Sequence, residues 1–563
     1  MVGIRAAVGS LIGAAAAAVA AVLIRPFFKP PLVGVGFVTA NAYPKGWDYA
    51  VIALLVVGAF AGAWLALSRV SSAATPGTAL PEKRGWHVPA TAAAVFVLML
   101  VVHDHPFQHM DPFHEGEHLT PAWLFLQGER PYVDVFLLHG LGVDGGLDAL
   151  VGGRPLYTRR LQTVLDAATL ALLVFIAAEV TATSTGMIAA VLASLCGVAA
   201  FWVPVFPYFR LAPVLLAAIG LLRYARTGRA GPLLVAFASA TLGVLWSLDT
   251  GTYALAGTVV AFILLPRRLP SGRAAILAAV ALALPLLVLV AVRADVPQFV
   301  RDSFVIIPTA IDAVWSLPAP KPLTAAGLRY FLPPILYGMM LAVGWKRRDA
   351  RVIILIVLSV LLFRTAAGRV SWSHTRFATP LLGIAFVAFV LEPLKQRVLM
   401  AVLALAAVFY FELPQNAVAG AKLIAEWPSR QRPQGLVRHP LVSGIYTSEE
   451  NATQLATLKN YVDALGPGPV LDLTNERALY FLLRRRPPMR TFDIPMLSSH
   501  QLLKPAMAEL QVHPPVCVIL GGEPAVAVFD GVRNDDRVPE LYRWVNANYT
   551  KRTEIGRFIV ATR

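Results

Sequence analysis

The chain has 563 residues, 57% of them hydrophobic and only 15% charged, with a mean hydropathy of +0.63. Soluble domains are about a quarter charged, so the composition excludes an ordinary soluble protein and indicates an integral membrane one. The net charge of +16 lies in short Lys/Arg clusters between apolar runs, a pattern of topology signals and headgroup contacts rather than of a nucleic-acid groove.

From the N-terminus, apolar runs long enough to cross a roughly 30 Å hydrocarbon core predict about thirteen spans. They fall near 8–25, 49–68, 88–103, 161–180, 183–202, 209–225, 231–248, 250–266, 274–292, 326–344, 352–367, 375–392 and 397–412. The first run, "LIGAAAAAVAAVLI", lacks a convincing cleavage site before "RPFFKPP" and reads as a retained helix. The linkers "RYARTGRAG", "RRLPSGR", "WKRRDAR" and "LKQR" all fall on one side, which the positive-inside rule makes the cytoplasm. The N-terminus is then cytoplasmic, in a plasma (inner) membrane. The opposite side receives loops 104–160 and 293–325, the hairpin 368–376 and everything after 413. Two cysteines, Cys196 and Cys517, supply no disulfide framework and no metal spacing.

The division is therefore 1–103, N-terminal helices; 104–160, an extracytoplasmic acidic loop; 161–412, a helical core; and 413–563, a polar tail. In the tail, strand patterns such as "GPVLDLT", "PPVCVILGG" and "GRFIVATR" alternate with helical stretches, predicting a small extracytoplasmic α/β domain without a nucleotide motif. The expected architecture is an α-helical polytopic membrane protein carrying that domain.

The acidic loop holds the densest chemistry. "MDPFHEGEHLTPAWLFLQGERPY", 110–132, places Asp111, Glu115 and Glu117 among His114 and His118, and Asp134, His139 and Asp144 follow. Thr120 is expected to cap a short helix with Pro121 first and Gly128 last, lying on the membrane surface. Carboxylates gathered at a membrane boundary can take a proton from an attacking hydroxyl or, with His, hold a divalent cation. A helix cap at Asp111 and a solvated loop surface at Glu115 and Glu117 are the plainer alternatives. Asp249, in "WSLDTGTY", is either a turn residue or a site residue. Arg369, His374 and Arg376, in "GRVSWSHTRFATP", either steady a phosphate or reach headgroups. Arg364 lies inside an apolar run, where an arginine tends to be functional or paired. The run "RRRPPMR" (484–490) reads as a solvated turn or an anion contact.

The acidic motif in the first large outer loop, followed by "GERPYVDVFLLHG", resembles the membrane-embedded GT-C glycosyltransferases, the bacterial families of lipid A aminoarabinose and protein mannosyl transferases. That resemblance implies transfer of a sugar from a polyprenyl-phosphate carrier to an extracytoplasmic lipid, polysaccharide or protein acceptor. It implies Glu115, Glu117 and Asp111 as catalytic acids, Glu115 and Glu117 also as ligands of any Mg or Mn ion. His114, Asp134, His139, Asp249, His374, Arg369 and Arg376 are the candidate substrate contacts. The resemblance leaves the first two helices as an addition. A transporter or lipid flippase, or a non-enzymatic envelope-assembly subunit, is the alternative. Transport would call for ionisable groups deep in the spans, of which Asp166 is one of few.

Overall fold

The computed structural model describes residues 2–28, 45–68, 85–103, 110–195, 207–265, 271–391, 435–521, 527–529 and 531–563, with isolated positions between 418 and 425. The helices, in chain order, are α1 (Val2–Ile24), α2 (Gly46–Ser68), α3 (His87–His103), α4 (Gly116–Leu126), α5 (Leu147–Leu150), α6 (Pro155–Val180), α7 (Ser184–Leu195), α8 (Ala212–Thr227) and α9 (Ala230–Trp246). They continue as α10 (Leu248–Leu264), α11 (Ser271–Ala291), α12 (Val296–Arg301), α13 (Ile307–Trp315), α14 (Ala325–Arg347), α15 (Ala350–Leu362), α16 (Arg364–Gly368), α17 (Trp372–Ala378) and α18 (Pro380–Phe386).

Each predicted span as far as 375–392 overlaps one of these helices; the last, 397–412, lies outside the described residues. Among the described residues, six helices are long and apolar enough to cross a membrane: Arg5–Phe27, Gly46–Ser68, Pro155–Val180, Tyr208–Thr227, Ala325–Arg347 and Ala350–Gly368. Shorter apolar helices, α3, α7, α9 and α10 among them, pack between these. Their Ala, Leu and Val runs satisfy backbone polarity internally, as lipid requires. The segment after α11 is no simple loop. The chain turns by 118° between Ile276–Ala291 and Val296–Ile311, and Asp295 caps the second helix by accepting from Gln298 N at 3.0 Å.

α1 and α2 form a tight hairpin through two Gly-xxx-Gly sets. A Cβ on Gly13 would sit 1.9 Å from the Gly58 carbonyl oxygen, and one on Gly62 2.0 Å from that of Gly9. Only glycine permits that approach, the usual device for packing helices where lipid offers no hydrophobic drive. α2 in turn lies on α14, where a Cβ on Gly338 would meet Val56 O at 2.3 Å.

After residue 435 the chain is α/β, as the strand patterns predict. β1 (Val437–Arg438) pairs with β2 (Tyr446–Thr447); β3 (Val470–Asp472), β4 (Cys517–Gly521), β7 (Lys551–Ile555) and β8 (Phe558–Thr562) make a sheet in the order β3-β4-β8-β7; β5 (Val528–Phe529) pairs with β6 (Val532–Arg533). β3 runs parallel to β4, with Leu471 opposite Val518, and the remaining pairs are antiparallel. Helices Glu449–Ala464, Ala478–Leu483, His500–Val512 and Pro539–Asn548 cover this sheet.

The acidic loop and the tail share one core. Leu119, Trp123, Tyr132 and Phe136 of the loop, Phe299 and Ile306 of the bent segment, and Leu471, Phe481, Ile519 and Val560 of the tail share a single buried core. α4 is therefore not a helix lying on the membrane surface: residues from His118 to Leu124 are buried within protein. It also begins earlier than expected, with Pro121 internal, and the Thr120 hydroxyl donates to Arg477 O at 2.7 Å instead of capping. Gly128, at φ +91°, does end it.

Candidate active site

Each described acid in the loop has its own partner, and the partners sort them. Asp111 holds His114 Nδ1 at 2.6 Å, Asp148 holds His118 Nδ1, Asp144 holds His139 Nδ1 at 3.0 Å, and Asp134 accepts from Arg130 Nε at 3.2 Å. Glu115 receives both Nε and Nη2 of Arg159, at 2.6 and 2.7 Å, and the Asp111 backbone N–H at 2.8 Å. Glu117 receives Arg477 Nη1, from the far end of the chain.

One cavity of about 340 Å³ lies where the loop before α6, the start of α10, the segment α15–α17, the end of α13 and the tail meet. Its size is in the range of small-molecule sites. Glu117, His114, His139, Asp249, Arg369 and His374, all candidates from sequence, line it. Four predicted residues do not. Glu115 is 2% exposed and turned away from the cavity into its bidentate ion pair with Arg159. Asp134 faces a separate outer groove beside Arg484, Arg485 and Arg486. Arg376 is buried on the bundle side, within electrostatic reach of Tyr208. Asp111 stands just behind the wall, steadying His114.

The cavity also holds Arg210, Phe113, Trp315 and Phe529, which sequence reasoning missed, beside Arg364 and Arg369, which it had singled out. Arg210 donates through Nη2 to Asp249 Oδ1 and Oδ2 at 2.8 and 2.7 Å and through Nε to Ser247 Oγ at 3.0 Å. It sits at the start of an apolar run in "PYFRLAP", where an arginine reads as a flanking charge. Asp166, within α6, receives Phe209 N–H at 2.7 Å and so secures the turn carrying Arg210. That satisfies the transport-like feature of the sequence with a structural role. Arg364 reaches the cavity because α15 breaks at Phe363. Arg369 donates to Trp315 O at 3.1 Å and lies 5.5 Å from the Trp315 ring centroid. Phe113, Trp315 and Phe529 make an aromatic wall, with Phe113 stacked on Phe529 at 5.1 Å and Trp315 edge-on to it at 4.9 Å. Phe529 belongs to the tail, which closes the cavity from above.

Arg477 fixes the acid. Its guanidinium bridges Glu117 and Asp493 Oδ1, the latter at 2.7 Å, and stacks 4.2 Å from the Phe113 ring centroid. Gly116 makes this contact possible: a Cβ there would lie 2.2 Å from Ala478 N. Burial works to raise the Glu117 carboxyl, but Arg477, with His139 and His114 nearby, outweighs it and holds the group below the usual carboxylate range. Burial likewise opposes protonation of His139, and Asp144 outweighs it, so this imidazole is raised. His374 goes the other way: burial, with Arg369 and Arg210 close by, pulls it down to about 3.

The oxygens of the two lining carboxylates differ in use. Asp249 Oδ1 accepts from Arg210, Ser247 and Thr250 N, and Oδ2 accepts from Arg210. Glu117 engages Arg477 through Oε1, leaving Oε2 without a hydrogen-bond partner among the described residues. Nε2 of His114 and of His139 is similarly open. The expected Mg or Mn site does not fit: among the described residues no three His, Cys, Asp or Glu converge, and Glu115 and Glu117 each carry a guanidinium.

No protein-family model and no curated protein matches the chain. Among solved structures, ArnT from Cupriavidus metallidurans bound to undecaprenyl phosphate is similar at 14% identity and a TM-score of 0.47, over 84% of this chain and 97% of that one. Its apo state gives 14% and 0.48, over 85% and 97%. The arabinosyltransferase EmbB from Mycobacterium smegmatis gives 14% and 0.38, over 69% of this chain and 42% of its own.

Proposed function

We propose that the protein is an integral-membrane glycosyltransferase that moves a sugar from a polyprenyl-phosphate carrier to an acceptor on the outer face of a plasma (inner) membrane. One observation carries this reading: a carboxylate with an open oxygen, Glu117, shares a cavity with three guanidiniums, Arg210, Arg364 and Arg369. That pairing suits displacement at an anomeric carbon. The acceptor's hydroxyl or amine forms the new bond to C1 while Glu117 Oε2 takes its proton. The bond from C1 to the phosphate oxygen breaks, and its electron pair leaves with the phosphate. Guanidiniums stabilise the charge growing there. Arg210, already shared with Asp249, contributes least; Arg364 and Arg369 stand at the mouth formed by α16. The aromatic wall offers an apolar face to sugar or prenyl chain. Attack opposite the leaving group gives inversion.

The orientation belongs to the same reading. All the elements that build the cavity are ends and loops assigned to one side by the positive-inside pattern, so that side is outside and the N-terminus is cytoplasmic. Asp111 remains in the proposal as the group that orients His114.

The test uses purified protein in lipid, radiolabelled polyprenyl-phosphate sugars and envelope extract as acceptor. Glu117→Gln, folded as wild type, should lose transfer by roughly 10²–10⁴-fold. Transfer that survives this change would place the base elsewhere.

A further inference from the structure

No residue of α1 or α2 lines the cavity, yet the start of α2 touches two of its arginines at one remove. The Arg364 guanidinium lies 4.6 Å from the ring centroid of Tyr49. Lys45 Nζ donates to Asp48 Oδ2 at 3.0 Å and to Leu317 O at 2.5 Å. Leu317 forms a parallel bridge with Arg369, whose Nη1 donates to Trp315 O two residues away. Lys45 and Asp48 are each 3% exposed, a buried ion pair at the tip of an otherwise apolar helix. Such a pair is costly and is retained where it fixes a geometry. The helix presenting these groups is itself immobilised, by the glycine interlock with α1 and by the seat on α14.

We propose that the N-terminal helix pair is a positioning platform for the phosphate group of the lipid carrier: Tyr49 aims Arg364, and the Lys45–Asp48 pair, through Leu317, aims Arg369. A long arginine without such a rest loses rotamer freedom on meeting its anion, so pre-placing it raises affinity. The ring also holds the guanidinium over a face that attracts cations. This inference rests on the reading of the cavity as a phosphate site.

The full-length protein in nanodiscs is titrated with undecaprenyl phosphate, with undecaprenol as the control lacking phosphate. Tyr49→Leu should weaken phosphate-lipid binding roughly 5- to 30-fold, the scale of a desolvated cation–π contact. Tyr49→Phe, which keeps the ring, should bind like wild type, and undecaprenol should bind all variants alike. In turnover, Tyr49→Leu should raise KM for the donor and leave kcat and the acceptor KM in place. Should Tyr49→Leu not fold, Lys45→Met with Asp48→Leu tests the platform through Arg369, with weakened phosphate binding expected. Wild-type binding by folded Tyr49→Leu, or by the double variant, beside weakened binding by Arg364→Ala, overturns the platform and leaves the phosphate site standing. Undiminished binding by Arg364→Ala and Arg369→Ala alike overturns both.

Discussion

Arg477 and Glu117, 360 positions apart in sequence, meet in one buried ion pair at the edge of the cavity. The C-terminal domain is thereby part of the site: its arginine decides the basicity of the acid supplied by the outer loop.

The pH profile should report that control. Arg477 holds Glu117 below the usual carboxylate range, so the acid is ionised, and able to accept a proton, down to acidic pH. Removing the cation with Arg477→Gln raises the Glu117 carboxyl and moves the acid limb of the pH–rate profile upward. Activity near pH 5 should drop several-fold more than activity near pH 8. An acid limb that stays in place, in a variant of native fold, would sink the assignment.

Glu115 and Glu117 should separate stability from catalysis. Glu115→Ala strands Arg159 in a buried position, and breaking such a pair costs about 3–5 kcal/mol. Thermal unfolding in detergent should show a large loss for Glu115→Ala. Replacing the pair together, with Glu115→Leu and Arg159→Met, should recover much of it. If Glu115→Ala were as stable as wild type but inactive, Glu115 would take the catalytic role from Glu117.

The His118–Asp148 pair gives the outer loop a pH dependence of definite sign. Burial lowers the imidazole, but Asp148 and the nearby Glu115 and Glu117 outweigh it, so the folded pKa lies above 6.5. The folded loop binds the proton more tightly than the unfolded one, so the stabilisation is complete below 6.5 and is lost as pH rises through the folded value. Hydrogen exchange across residues 116–150 should quicken on the alkaline side beyond the intrinsic rate. Asp148→Asn should remove that extra dependence; an unchanged dependence would exclude the pair as its source.

In the C-terminal domain a carboxyl group gives a dependence of the same sign in a more acidic window. Burial pushes the Glu476 carboxyl up to about 7, against the attraction of Arg557. Between 4.5 and about 7 the folded form therefore holds a proton that the unfolded form releases, and stability falls as pH rises through this window. Glu476→Gln should flatten denaturation midpoints across it. A midpoint trend that persists in Glu476→Gln belongs to another group.

Much of this was legible in the sequence. Apolar runs gave the helices because a lipid-spanning backbone must bond within itself. Residues in polar loops between spans, Glu117, His139, Arg369 and His374, could be nominated because charge there is conspicuous. Three things were hidden. Arg210 looked like a helix flank, since nothing local reveals that Asp249 would meet it. Arg477 lies in a domain whose docking depends on a shared core, formed by residues hundreds of positions apart. The two glutamates differ by two positions in sequence yet go separate ways, because α4 starts between them and turns Glu115 to the bundle and Glu117 to the tail. The Gly-xxx-Gly sets were readable in principle, since Gly9, Gly13, Gly58 and Gly62 show the spacing directly.

The core shared by the outer loop and the tail also sets an order of events during synthesis. The loop emerges early, but Trp123, Tyr132 and Phe136 cannot be covered until the sheet that includes β8 has been made and has folded. Glu117 waits for Arg477 over the same interval. A nascent chain can thus complete most of its helices while this cavity is still unassembled. Release of a chain truncated before β8 would leave a bundle with an exposed apolar roof, a mark for quality-control proteases rather than a slower enzyme.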